Sequence, residues 1–247
     1  MIPYHGMPIT PLTVARRAVN SGHAFVSHKY RHQLDLVLEI CQSFAVDNGA
    51  FSAWKSGNPV VDWSNYYQWV DDVRRYPSFD FAVIPDVIDG DEQANDTLLA
   101  EWPFEARHAF CGAPVWHLHE SIERLQRLAQ KWPRVCVGSS GEYSTVGNKK
   151  WWERMMRAFY AISDSTGRPI CKIHGLRTLN PKVFSNLPLS SADSTNIARN
   201  VGIDANWKGT YTPASREMRA EVMRERIELA QSAISLPMEA AHLYQSD

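Results

Sequence analysis

Short apolar runs alternate with stretches whose apolar residues recur at helical spacing, and this alternation persists along the chain. Residues 1–5, 23–28, 43–47, 79–86, 114–119, 134–139, 169–174 and 189–193 predict eight strands. The 79–86 run, FDFAVIPD, suits a strand buried on both faces. Between them, Pro11 opens a helical pattern through Leu12, Val14, Ala15 and Val19 that stops at Gly22. Leu34, Val37, Leu38 and Cys41 share one face of a second. Further helices are predicted at about 62–76, with Asp62 as N-cap, and at about 90–110, where Pro103 should kink or break the pattern. Others fall at Ile122, Leu125 and Leu128, at about 149–163, near 181–187 and near Asn196. An irregular stretch with Trp207 and Gly209 then leads to a last long helix at about 213–236.

Eight strand-helix units predict a single-domain (β/α)8 TIM-like barrel over residues 1–247, close to the usual size of about 250 residues. The same alternation would allow a doubly wound open sheet, but no Gly-x-Gly-x-x-Gly turn follows the first strand.

Composition changes this picture little. With 44% apolar residues a buried core is expected, and 26 lysines and arginines against 27 aspartates and glutamates leave no bulk field to attract nucleic acid. Cys41, Cys111, Cys136 and Cys171 form no Cys-x-x-Cys pair and read as thiols in a reducing compartment. No leader or membrane-spanning pattern is seen, so a cytoplasmic protein is expected.

The chemistry lies at one end of the strands. His5, His28, Asp47, Asp86, His117, His119, Gly138, Ser139, His174 and Asp193 all fall at carboxyl ends of predicted strands, the rim where barrels carry active sites. Any one of these aspartates could be a turn former or helix cap. Together they predict a reactive pocket open to three chemistries. Metal-assisted hydrolysis could use His117-x-His119 with an aspartate, glycoside hydrolysis a carboxylate pair, and base exchange a nucleophilic aspartate at an anomeric carbon. A nucleotide-binding barrel without turnover is a fourth reading.

Six segments in order, Asp47-Asn48-Gly49-Ala50-Phe51-Ser52, Ile84-Pro85-Asp86, Pro114-Val115-Trp116-His117, Val137-Gly138-Ser139-Ser140-Gly141-Glu142, Ile173-His174-Gly175-Leu176 and Ala192-Asp193-Ser194-Thr195, resemble the motif series of the tRNA-guanine transglycosylase superfamily. The chain is most similar to the DpdA-type branch of phages and bacteria, which exchanges guanine in DNA for a 7-deazaguanine. The resemblance spans roughly residues 43 to 200. It implies a barrel enzyme, a pentosyltransferase that needs no cofactor or metal and takes DNA and a 7-deazaguanine base such as preQ0 in a bacterial or phage-infected cell.

By that resemblance Asp193 is the nucleophile at C1′, Asp47 does acid-base work and Asp86 reads the guanine edge. Asn48, His117, Gly138, Ser139, His174, Gly175 and Leu176 then form the base-binding surface. His117 stands where relatives acting on tRNA commonly carry glutamine. Those relatives also carry a cysteine-rich zinc site after the last strand, whereas no cysteine follows Cys171, which favours DNA over tRNA. The expected nucleic-acid contact is the basic and aromatic cluster Lys149, Lys150, Trp151 and Arg154, with Arg157 beside it. The same residues could instead form an amphipathic helix with its aromatic face in the core. No membrane partner is expected, and a homo-oligomer is compatible with the sequence.

Overall fold

The computed structural model describes residues 1–104, 111–207 and 211–244. Nine strands, all parallel, lie in the order β5-β4-β3-β2-β1-β9-β8-β7-β6. They are β1 (Ile2–Gly6), β2 (His23–Ser27), β3 (Ser43–Asp47), β4 (Phe79–Val83), β5 (Gly112–Ala113), β6 (Val115–His117), β7 (Arg134–Gly138), β8 (Lys172–Gly175) and β9 (Ser191–Ser194). The two edges of this order, β5 and β6, are halves of one strand position separated by Pro114. Ala113 pairs toward β4, while Val115 pairs toward β7. The Pro114 carbonyl still accepts from Cys136 N at 2.8 Å, but proline has no N–H to give to a ladder. The sheet thus closes into an eight-position TIM-like barrel with one spliced position.

The helices are α1 (Leu12–Val19), α2 (Leu34–Ile40), α3 (Ala50–Lys55), α4 (Ser64–Val73), α5 (Glu92–Ala100), α6 (Ile122–Lys131), α7 (Lys149–Ala161), α8 (Pro181–Phe184), α9 (Asn196–Asn200) and α10 (Arg216–Glu228). Helices α1, α4, α6 and α7 each bury a stripe of residues, while α10 packs on α1. In α7, Trp151, Met155, Ala158 and Phe159 are all 1% exposed or less, and each large side chain there contributes about 1.5–3 kcal/mol by leaving water. Asn148 caps that helix by accepting from Trp151 N at 2.8 Å, and Ser121 caps α6 by accepting from Arg124 N at 3.1 Å. None of the described helices is long and apolar enough to cross a membrane.

Three expectations are corrected in detail. The seventh strand starts at Lys172 rather than at 169, because Pro169 bridges Ser163 and Ile170 N bonds to the Ile162 carbonyl, holding that segment to the end of α7. The last helix is shorter than 213–236, ending at Glu228. The helix expected at about 90–110 ends at Ala100, ahead of Pro103; its predicted continuation over 105–110 and the predicted irregular position Gly209 lie outside the described residues.

Strand periodicity sorts the side chains into a barrel interior and a strand-helix layer. The interior holds Tyr4, Phe25, Ala45, Phe81, Val83, Ala113, Val115 and Cys136. Its amino end is plugged by polar groups. Arg134 grips both oxygens of Asp80, at 2.7 and 3.2 Å, and its guanidinium lies 4.0 Å from the Phe81 ring centre. The Tyr4 hydroxyl donates to Asp80 as well. Burial, and then the Asp80 charge, push that phenol far above its usual pKa. With this end filled, the interior of the described residues opens at the carboxyl ends of the strands.

Candidate active site

At that end lies a cavity of about 400 Å3. Its floor is the uppermost inward-facing side of each strand position: Gly6, Ser27, Asp47, Val83, His117, Gly138, Leu176 and Asp193. The period of two explains which rim residues miss it. Tyr4 and Gly6 face inward, so His5 faces outward and meets Glu228 of α10 at 3.4 Å. His28, one residue past the inward Ser27, packs against Tyr66 and Trp69 instead.

Of the ten residues expected in catalysis and base binding, Asp47, Asn48, Asp86, His117, Gly138, Ser139, Leu176 and Asp193 line the cavity. His174 and Gly175 do not. His174 lies beneath it, fully buried against Tyr4, Phe25 and Phe81. Its Nδ1 meets Ser191 Oγ at 2.9 Å, and its Nε2 is 3.4 Å from Asp193 Oδ1 without a formed hydrogen bond. Burial lowers its pKa despite Asp193, so a neutral imidazole supports the floor from below. Gly175 is required by a close approach, since a Cβ there would sit 2.1 Å from Thr178 Oγ1.

Three carboxylates meet at this floor in different surroundings. Asp193, near the end of β9 and 6% exposed, accepts the backbone N–H of Arg177 at 3.0 Å. Asp86 is 8% exposed and held through both oxygens: Oδ1 accepts from Asn48 Nδ2 at 2.8 Å, and Oδ2 lies 2.9 Å from His117 Nε2. Asn48 is itself fixed, donating to the Ile84 carbonyl and accepting from Ala50 N. Asp47, half-buried, accepts from Gly49 N at 3.1 Å. Burial, then the charges of Asp193 and Asp86, push its pKa up to about 7. Asp47 is thus poised to exchange a proton near neutrality.

His117 is fixed by Asp86 on one side and enclosed on the other. Because a carboxylate only accepts, Nε2 carries the proton toward Asp86. Nδ1 has no partner, and it faces Gly138, where a Cβ would come within 3.0 Å of it. His119 is spent elsewhere: its Nδ1 meets Ser140 Oγ at 2.8 Å and its Nε2 the Gly90 carbonyl at 2.9 Å. The His117-x-His119 pair therefore does not offer two nitrogens to a common metal. Among the described residues no group of three His, Cys, Asp or Glu is arranged to hold one.

The cluster expected to touch nucleic acid is corrected in part. Trp151 is fully buried and donates to Ser139 Oγ at 2.9 Å, so no base can stack on it. Arg154 spends its guanidinium on the Leu118 and Glu120 carbonyls. Lys149 and Lys150 are exposed and paired with Glu153 and Glu142; such surface pairs are weak and leave both side chains available.

Two cations at the cavity were not legible beforehand. Arg177 and Arg199 both line it, the first directly after β8 and the second on α9. Arg177 has the left-handed φ of +58°, rare for a residue with a side chain. Nothing in residue type marks such a position; only its proximity to a strand end could have drawn attention to it.

No family model, no curated protein and no solved structure matches the chain.

Proposed function

We propose that this barrel is a transglycosylase that exchanges guanine in DNA for a 7-deazaguanine base such as preQ0 through an aspartyl-sugar ester. The observation that carries the reading is the division of labour among three carboxylates at one cavity. Asp193 is oriented by a backbone N–H, Asp86 by Asn48 and His117, and Asp47 has a pKa of about 7. The choice of guanine, and of DNA over tRNA, rests on the motif resemblance.

The chemistry balances without a further reactant. Asp193 attacks C1′ of the target nucleotide; the C1′–N9 bond breaks and an ester forms. Protonated Asp47 neutralises the departing guanine, becoming a carboxylate. That carboxylate then takes the N9 proton of the incoming 7-deazaguanine, whose nitrogen attacks C1′ and releases Asp193. Two displacements retain configuration, and the proton returns to Asp47. The Asp86 carboxylate fits the N1 and N2 donors of a guanine edge, with His117 holding it in place from behind. A target in a duplex must leave the stack to reach a floor this deep.

The test is incubation of the protein with guanine-containing DNA and a labelled 7-deazaguanine, followed by digestion to nucleosides and mass analysis. Label should enter DNA with release of one guanine per base incorporated, and Asp193→Ala should abolish it. Undiminished incorporation by Asp193→Ala would overturn the assignment of the nucleophile.

A further inference from the structure

Phe51, on α3, lines the cavity and looks like the natural shelf for a planar base. Its ring is already covered on one face: the Arg177 guanidinium carbon lies 4.3 Å from the ring centre. A base cannot occupy that same face. Arg177 also lines the cavity and remains exposed as a residue, with its guanidinium set over Phe51. It is held there from three directions. The Arg177 Nη2 donates to the Ser139 carbonyl, its backbone N–H donates to Asp193, and Phe51 supports the plane. The left-handed backbone at Arg177 is what allows one residue to meet the nucleophile with its main chain and Phe51 with its side chain.

We propose that the Arg177 guanidinium, and not the Phe51 ring, is the surface on which the exchanged base stacks. This rests on the reading of the cavity as a nucleobase site and adds to it. Guanidinium planes stack on bases as aromatic rings do, and a cationic plane favours an electron-rich heterocycle.

Calorimetric titration of full-length protein with 7-deazaguanine and with guanine tests this without requiring turnover. Arg177→Gly keeps the backbone N–H to Asp193 and tolerates the positive φ while losing the Ser139 and Phe51 contacts, so it should stay folded with its Tm lowered by only about a few degrees. Its affinity for 7-deazaguanine should drop at least about tenfold. Arg177→Lys keeps the charge but lacks the plane, and should not restore binding. Wild-type affinity in Arg177→Gly, or full restoration by Arg177→Lys, would overturn the stacking role while leaving the base site intact. If the wild-type protein binds neither base, the nucleobase reading of the cavity falls, and this inference with it.

Discussion

His117 Nε2 and Asp86 Oδ2 lie 2.9 Å apart at the cavity floor, with both side chains almost fully enclosed. The pair joins residues from different strand positions, so the His117 ring fixes the Asp86 carboxylate at the cavity. Asp86→Asn replaces an acceptor with an amide that also donates. The variant should bind guanine-type bases about 10- to 100-fold more weakly, as expected for losing hydrogen bonds to a charged acceptor. Titration of the free base measures it, and unchanged affinity would remove Asp86 from base recognition.

Asp47 gives the protein a pH signature. The folded state keeps its proton up to about pH 7, whereas an unfolded aspartate releases it near about 3.9. Across that window the native state binds more protons than the unfolded state, so this group's contribution to stability falls as pH rises. Asp47→Asn removes the slope. The Tm of the wild type, relative to this variant, should decline between about pH 5 and about pH 8. A constant difference across that range would show that Asp47 is ionised throughout.

Beneath His117 runs a buried ionic network. Glu120, fully buried, accepts from Arg124 Nη1 at 2.7 Å, from His117 N at 2.8 Å and from Asn95 Nδ2 at 2.9 Å. Arg124 is 2% exposed. Glu120→Ala would leave its guanidinium enclosed with only the Asp96 carboxylate and the Val115 carbonyl. Chemical denaturation should show a loss of about 3–5 kcal/mol. A loss below about 1 kcal/mol would mean that water or Asp96 replaces the missing charge.

Trp151 tests the corrected role of the α7 cluster. Because its indole is fully buried and bonded to Ser139, Trp151→Ala should cost about 3–5 kcal/mol of stability. Trp151→Phe, which keeps most of the volume, should bind single-stranded DNA as the wild type does. Weaker DNA binding by a stably folded Trp151→Phe would reinstate the indole as a contact.

The eight strand positions were legible because buried strands of a parallel barrel are short, apolar and separated by helices long enough to show their own period. Parity was the harder part. A strand end marks the rim, but only the period of two separates an inward Asp47 from an outward His5. The α3 helix was missed because it has six residues and starts at Gly49 in a left-handed conformation, φ +84°, after a segment that reads as a turn. Helical spacing could not tell whether Trp151 faced the core or solvent, as a wide aromatic face serves either. Arg177 was invisible for a different reason: its role comes from a backbone angle and a ring supplied by α3, more than a hundred residues earlier.

The splice at Pro114 sets where the ring can breathe. β5 and β4 share two paired positions, and proline withholds one amide from the ladder, so this arc should exchange its amide hydrogens sooner than the continuous β2–β3 arc. His117 stands three residues beyond the splice. Hydrogen-deuterium exchange should therefore report first from the wall beside His117 when compared with the β2–β3 wall.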